Sequence, residues 1–289
     1  MKTIKSFTIL VFTFILVIGL IGCGGGKENQ ESQGTQSIQI KGSDTEVNLV
    51  QHLAETYMEE SDINISVTGG GSGTGISSLI NGQVDIANSS RSMREEEINQ
   101  AENNGINPVR IIIAMDGLSV ITHESNSVEE LTVDEIGKIF KGEITNWKEV
   151  GGSDKKISLY GRQSNSGTYV YFRDNVLKAD YSGDMKRMNG NAQIVESIKN
   201  DKAGIGYVGV GYVTDENDNP VAGINITNVA KNKNSKAVSP LNPENVKTGS
   251  YPLARPLNQY VDGKPEGSIL EFIKYELSEK GQDIAVEEG

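Results

Sequence analysis

Short apolar, β-rich runs alternate with polar turns and helical periodicity along most of this chain. That alternation restricts the fold to an α/β architecture with a largely parallel sheet. Residues 37–41 read as a strand, after which Val47, Val50, Leu53, Ala54 and Tyr57 recur at three- and four-residue steps, as on one helix face. Residues 63–68 alternate as a second strand and run into Gly69-Gly70-Gly71-Ser72-Gly73-Thr74-Gly75. A helix is expected over 74–81 and a strand over 84–88. Ser92 with Glu95, and Thr132 with Glu135, have capping-box spacing for two more helices. The β-rich runs 109–114 and 118–122 flank Asp116-Gly117. Residues 159–162 and a helix after Ser166 repeat the strand–turn–helix plan, 193–199 reads as helix, and 205–213 as a strand containing glycines. Residues 215–251 are polar and poorly patterned. The extended run 251–261 carries Pro252 and Pro256, which restrict it to a sheet edge or a connector. Residues 268–279 read as a last amphipathic helix ended by Gly281.

The N-terminus is of another kind. Lys2 and Lys5 precede an uncharged apolar run over 7–21. A bilayer span needs about 20 apolar residues, so this run fits a signal-peptide core better. It ends in Leu20-Ile21-Gly22-Cys23, which resembles the bacterial lipoprotein signal, whose cysteine becomes the lipidated first residue. The expectation is a signal peptide over 1–22, lipidation at Cys23 and a flexible tether over 23–36. Cys23 is the only cysteine, which excludes an internal disulfide and a thiolate metal site. The folded remainder exceeds one typical domain and suggests two lobes or one large α/β unit. Net charge is −12, and loss of the two leader lysines makes it −14. Bulk electrostatics therefore disfavour nucleic acid, and an anion site would have to rely on local, buried donors.

Four polar turns offer such donors. In Arg162-Gln163-Ser164-Asn165-Ser166-Gly167-Thr168, a guanidinium is followed by hydroxyls and a glycine where a helix should begin. A guanidinium is a fork of donors charged at every accessible pH, and helix starts present unpaired backbone N–H groups. Gly42-Ser43-Asp44-Thr45 lies between a strand and a helix, where Ser43 with Glu46 also has capping-box spacing. The 69–75 turn has more glycine than a tight turn needs, yet no P-loop lysine follows, so backbone approach to an anion is the better reading. Ser89-Ser90-Arg91 closes a strand; Arg91 by itself reads as a solvated surface charge. Gly204-Ile205-Gly206-Tyr207-Val208-Gly209 matches the dinucleotide fingerprint, but residues 210–213 read as strand, so the helix start it requires is missing. His52 and His123 have no metal-ligand neighbours and read as surface residues. Trp147 reads as a packing anchor, and no Gly-x-Ser-x-Gly elbow is present.

These segments, with Gly142-Glu143-Ile144-Thr145-Asn146-Trp147 and Tyr251-Pro252-Leu253-Ala254-Arg255-Pro256-Leu257, closely resemble the phosphate-binding lipoproteins of Pst-type phosphate ABC transporters. The resemblance runs from about residue 38 to 281. It implies a periplasmic-binding-protein fold of type II, with two α/β lobes joined by a two-strand hinge and closing over one phosphate. Lobe 1 would comprise 37–116 and 252–289, and lobe 2 would comprise 117–251. Ser43, Asp44, Thr45, Ser72 and Ser90 would face Arg162, Ser166, Gly167 and Thr168 across the ligand. Some members place an aspartate where Ser90 stands, to accept the proton of hydrogen phosphate; here the acceptor is Ser90 or Asp44. The implied protein is a monomeric, lipid-anchored receptor on the outer face of the cytoplasmic membrane. It needs no cofactor or metal, binds no nucleic acid, and delivers inorganic phosphate to permease subunits. Sulfate, molybdate or tungstate are alternative ligands. A phosphoryl-transfer enzyme would need a nucleophile poised by a base or a metal, and no histidine lies in any of the four turns.

Overall fold

The computed structural model describes residues 37–215 and 219–288; the expected signal peptide, Cys23 and most of the tether lie outside the described residues. The strands are β1 (Ser37–Gly42), β2 (Asn64–Thr68), β3 (Ile86–Ser89), β4 (Pro108–Gly117), β5 (Ser119–His123), β6 (Glu130–Thr132), β7 (Ser158–Arg162), β8 (Lys186–Met188), β9 (Gly204–Val208), β10 (Ile224–Ala230) and β11 (Ala254–Asp262). The helices are α1 (Val47–Met58), α2 (Ser72–Ile80), α3 (Glu95–Asn103), α4 (Val133–Lys141), α5 (Gly167–Phe172), α6 (Asn191–Lys199), α7 (Pro243–Lys247), α8 (Gly267–Glu276) and α9 (Glu279–Glu287).

Among the described residues the strands form two sheets, ordered β2-β1-β3-β11-β4 and β6-β10-β5-β9-β7-β8. Both are mixed. In the first, β1 pairs in parallel with β2 and β3, while β11 runs antiparallel to β3 and β4. In the second, β7 is parallel to β8 and β9, while β5 is antiparallel to β9 and β10. Period-two alternation supplies each sheet with two apolar faces. Ile38, Ile40, Ile86 and Val261 pack with residues of α1, α8 and α9, whereas Ala87 and Tyr260 pack with Ile76, Leu79 and Ala101 of α2 and α3. In β5, Val120 joins Phe140, Trp147, Phe172 and Tyr207, and its neighbour Ile121 joins Ile194, Ile198 and Val208. Trp147 is thus a packing anchor, and its Nε1–H donates to the Ala203 carbonyl at 3.0 Å.

The chain crosses between the sheets where β4 passes into β5 and where it returns into β11. The two crossings are tied together: the Leu118 amide donates to the Leu253 carbonyl at 3.2 Å, and the Tyr251 hydroxyl donates to the Leu118 carbonyl at 2.8 Å. The sheets thus belong to two lobes that the chain joins through two short, hydrogen-bonded crossings, an arrangement open to hinge motion.

Several local expectations are corrected. The 251–261 run is no edge: β11 lies between β3 and β4. It tolerates Pro256 because β3 pairs only with Asn258–Val261, so the proline sits where β11 has one neighbour. Residues 215–251 contain β10 and α7; in β10 the polar Asn225 and Asn228 are half-buried and Thr227 is buried, and Asn242 caps α7, which masks the strand and helix patterns. The strand expected over 205–213 stops at Val208 and gives way to a 3₁₀ turn over Val210–Tyr212, because the Val210 amide is held by Asp116 Oδ1 at 3.1 Å. Ser92 and Glu95 do not cap α3; Glu97 accepts from the Arg94 amide at 2.9 Å instead. The Thr132–Glu135 box is formed as expected. The last helix is two, broken at Leu277–Ser278, and Gly281 lies in the first turn of the second, whose amide donates to Ser278 Oγ. His123 is buried, with Nδ1 accepting from the Ser125 amide, while His52 pairs with Glu288 at the surface.

Candidate functional site

Every donor-rich turn lies at a strand's C-terminal end, and all but Ser89–Arg91 lead directly into a helix, as in open α/β sheets generally. Ser43, Asp44 and Thr45 join β1 to α1; Ser72 opens α2; Ser90 follows β3; Arg162 ends β7; Ser166 caps α5. The glycines make this crowding possible. Gly71 has φ +95°, a left-handed value, and a Cβ there would lie 2.9 Å from the Asn165 carbonyl of the other lobe. A Cβ on Gly167 would lie 2.2 Å from Ser72 Oγ and 2.7 Å from Ser90 Oγ.

The two halves meet. Thr45 Oγ1 is 2.9 Å from Thr168 Oγ1, Ser90 Oγ is 3.4 Å from Ser72 Oγ and 3.5 Å from Thr168 Oγ1, and the Ser90 amide donates to Ser72 Oγ at 3.1 Å. Asn165 bridges the lobes twice, through its carbonyl to the Gly73 amide at 2.9 Å and its Nδ2 to the Gly70 carbonyl at 2.9 Å. Ser43, Ser72, Ser90, Arg162, Ser166 and Thr168 are all buried, between 0% and 2% exposed. The lobes are therefore closed on a buried, hydroxyl-lined centre. Ser166 Oγ accepts from the Tyr169 amide as the α5 cap, which leaves its own hydrogen to donate.

Arg162 is the charged member. One guanidinium nitrogen, Nη2, donates to the Asn189 carbonyl at 2.9 Å. Nε and Nη1 have no hydrogen-bond partner among the described residues, although Asp44 Oδ2 lies 3.3 Å from Nη1. Burial pulls the Arg162 pKa down, and Asp44 opposes that shift. It remains charged, since guanidinium titrates far above neutrality. Ser43 Oγ is likewise buried and unpartnered among the described residues. Buried donors are almost always satisfied, so these groups mark a place for an acceptor. A multi-oxygen anion suits a two-nitrogen fork, hydroxyls and the starts of α1 and α2 together.

Two assignments shift. Asp44 Oδ2 accepts from the Asn191 amide at 2.9 Å and from Asn191 Nδ2 at 3.0 Å, and its carbonyl accepts from the Tyr212 hydroxyl at 2.6 Å. Asp44 is thus a clasp between lobes as well as a neighbour of Arg162. Arg91 is no surface charge: it is 8% exposed and forks onto Glu97 at 2.7 Å through both Nη atoms, away from the hydroxyl centre.

Sequence reasoning missed Arg255 and Asp116. Arg255 is 1% exposed, pairs with Asp116 Oδ2 through Nε and Nη2 at 2.8 Å, and donates from Nη2 to Thr168 Oγ1 at 3.0 Å and from Nη1 to the Ser90 carbonyl at 3.2 Å. It thereby orients a hydroxyl of one lobe from the other. The available signal was an arginine inside an otherwise apolar extended run, paired with an aspartate beside the opposite crossing.

Comparison with known proteins agrees with this geometry. Residues 28–280 match the family model for the PBP superfamily domain. The chain is 31% identical to the phosphate-binding protein PstS of Pseudomonas aeruginosa, over 91% of this chain and 85% of the relative. It is 33% identical to the PstS of Staphylococcus aureus strain MRSA252, over 95% and 83%. Among solved structures it resembles a substrate-binding protein from Clostridium perfringens, assigned to phosphate ABC transport and holding bound phosphate. The match is 30% identical with a TM-score of 0.76, over 88% of this chain and 98% of that one. An ABC-type phosphate transport receptor from Vibrio cholerae matches at 28% identity and a TM-score of 0.69, over 87% and 98%.

Proposed function

This chain belongs to the phosphate-binding proteins of the PBP superfamily, binding proteins rather than enzymes, with the type II fold of two α/β lobes; from that premise we propose that it captures inorganic phosphate and delivers it to an ABC transporter permease. The observation that carries the reading is the buried, unpartnered set of donors, Arg162 Nε and Nη1 with Ser43 Oγ, facing a hydroxyl cluster drawn from both lobes. Arg162 takes two phosphate oxygens side by side. Ser43, Ser72, Ser166 and Thr168 donate hydroxyl hydrogens, and the amides of Asp44, Thr45 and Gly167 complete the cradle. Of the two groups available to accept the proton of hydrogen phosphate, Asp44 has Oδ2 engaged by Asn191. That favours Ser90 Oγ as the acceptor.

Lobe 1 is assigned residues 37–116 and 252–289, lobe 2 residues 117–251, and closure about the two crossings excludes water and strengthens every charged hydrogen bond. Among the described residues no helix is long and apolar enough to cross a membrane. The reading places the protein outside the cytoplasm as a monomer, anchored through a lipid on Cys23 and a tether over 23–36. Isothermal titration of the mature chain with phosphate and with sulfate tests it. Saturable one-to-one phosphate binding at micromolar concentration is expected. No phosphate binding, or tighter binding of sulfate, molybdate or tungstate, would overturn the choice of ligand.

A further inference from the structure

Beneath the Arg162–Thr168 loop lies a buried chain of tyrosine hydroxyls that the phosphate cradle does not itself use. The Arg162 amide donates to the Tyr207 hydroxyl at 3.3 Å. The Tyr207 and Tyr181 hydroxyls lie 2.8 Å apart, and the Tyr181 hydroxyl donates to the Tyr169 carbonyl at 2.9 Å. A phenol has one hydrogen to give. Tyr181 spends its hydrogen on Tyr169, so Tyr207 donates to Tyr181 and receives from Arg162. Every hydrogen in the relay therefore points one way, from the end of β7 to α5. Tyr169, Tyr181 and Tyr207 are all buried. Burial raises the pKa of both relay phenols, that of Tyr207 to about 12, so each keeps its hydrogen at neutral pH.

The surroundings hold this relay in place. Registered pairing of β7 with β9 runs only to Tyr160–Gly206, and beyond it the Tyr207 hydroxyl takes the Arg162 amide. Gly161 leaves room for that hydroxyl: a Cβ there would lie 2.9 Å from Tyr207 Oη. Tyr207 stacks on Phe172 with ring centroids 4.2 Å apart, and Tyr181 stacks on Tyr169 at 4.5 Å, which fixes both rings. At the far end, the Tyr169 amide donates to Ser166 Oγ. The relay thus ties the residue that carries the guanidinium to the residue that holds the Ser166 hydroxyl, across the base of the loop. All four residues belong to the stretch assigned to lobe 2, so the tie requires nothing from lobe 1.

We propose that Tyr207 and Tyr181 are positioning residues for the anion: their relay sets the spacing between Arg162 and the start of α5 at which the guanidinium fork and the Ser166–Thr168 donors address one phosphate. The proposal rests on the phosphate reading above. A bidentate fork works in one geometry, since its nitrogens and the oxygens they meet must lie side by side. Without the relay, the Arg162 amide and the Tyr169 carbonyl each lose a buried partner, and the loop is free to settle elsewhere. Donors ordered beforehand need less ordering when the ligand arrives. One lost hydrogen bond corresponds to about threefold to tenfold in affinity.

The test is phosphate titration calorimetry beside denaturant unfolding of the ligand-free protein, on wild type, Y181F, Y207F and Y260F. Phenylalanine keeps the ring and removes the hydroxyl. Tyr260 is the control: it is buried in a separate core cluster, where its hydroxyl accepts from the Met93 amide at 2.9 Å. Y181F and Y207F are expected to bind phosphate about threefold to tenfold more weakly, and Y260F to lose stability with affinity unchanged. Both relay effects should shrink below about twofold in an Arg162→Lys background, because a point charge on a flexible stem has no fork to place. Lower stability of Y181F and Y207F with wild-type affinity would overturn the proposal. An undiminished effect in the Arg162→Lys background would do the same. Amide hydrogen exchange on the ligand-free wild type supplies a readout that does not depend on any variant folding. The Arg162 amide is expected to be protected, and rapid exchange there is fatal to the idea. No phosphate binding by wild type, with that amide protected, would instead sink the phosphate reading itself.

Discussion

Gly167→Ala asks directly whether the closed lobes form the binding state. Gly167 opens α5 on one lobe and faces Ser72 and Ser90 on the other. A Cβ there would meet Ser72 Oγ at 2.2 Å and Ser72 Cβ at 2.9 Å, against an ordinary contact that begins at 3.4 Å. If the Ser72 hydroxyl stays put, the lobes must part by 3.4 − 2.2 = 1.2 Å; if it rotates away, its Cβ still demands 3.4 − 2.9 = 0.5 Å. Thr45–Thr168 at 2.9 Å, Arg255–Thr168 at 3.0 Å and Gly73–Asn165 at 2.9 Å all span the same gap and are stretched or lost. At about 1 kcal/mol each, the closed state is weakened by about 3 kcal/mol, or about a hundredfold in phosphate affinity. Gly167 is absent from the positive-φ positions and begins a helix, so alanine should not strain the backbone. Calorimetry should show the loss of affinity, and thermal unfolding of the ligand-free protein should be little changed. Gly183→Ala, where a Cβ meets nothing within 4 Å, is the matched control. Wild-type affinity in Gly167→Ala would refute the reasoning, as would a collapse of stability in the ligand-free protein.

Arg162→Ala should weaken phosphate binding by about 2–5 kcal/mol, about thirtyfold or more by calorimetry, since it leaves a buried anion without its fork; a smaller loss means the guanidinium does not reach the ligand. Glu276 tests a linkage with a definite sign. Burial raises its pKa from 4.5 to about 8. The folded state therefore holds a proton that the unfolded chain releases above 4.5, and stability falls as pH rises from there toward 8. Up to about pH 7 the interval is about 2.5 units, or roughly 3 kcal/mol at 1.36 kcal/mol per unit. Denaturant unfolding of E276Q should lack that decline, and an unchanged slope would mean that Glu276 is ionised in the fold. Cys23→Ala should abolish incorporation of labelled fatty acid and release the protein from membranes in expressing cells; retention on the membrane with the label intact would exclude Cys23 as the anchor.

Much of the cradle was readable because its chemistry is local. Strand-end turns with glycine and hydroxyls announce themselves in a few consecutive letters, as at Gly42–Thr45 and Arg162–Thr168. What stayed hidden depends on neighbours distant in sequence. Arg255 and Asp116 are 139 residues apart and become a buried pair only because β11 lies against β4. Pro256 argued for a sheet edge, yet the shortness of β3 opposite it lets β11 run through the interior. Asp44 looked like a ligand group, and only the approach of α6 from the other lobe makes it a clasp on Asn191. Glu46 has the spacing of a cap partner for Ser43, but it is fully buried and makes no cap hydrogen bond to the start of α1. Arg91 illustrates the reverse error: six residues on, Glu97 was available to neutralise it and draw it inward.

A crystal structure of the mature chain grown with phosphate tests the central claim most directly. The account predicts one phosphate between the lobes, with two oxygens on Arg162 Nε and Nη1, another on Ser43 Oγ, and the Thr45–Thr168 and Asp44–Asn191 contacts in place. A phosphate bound to one lobe alone, or a closed cleft with Arg162 making no contact to the anion, would contradict it.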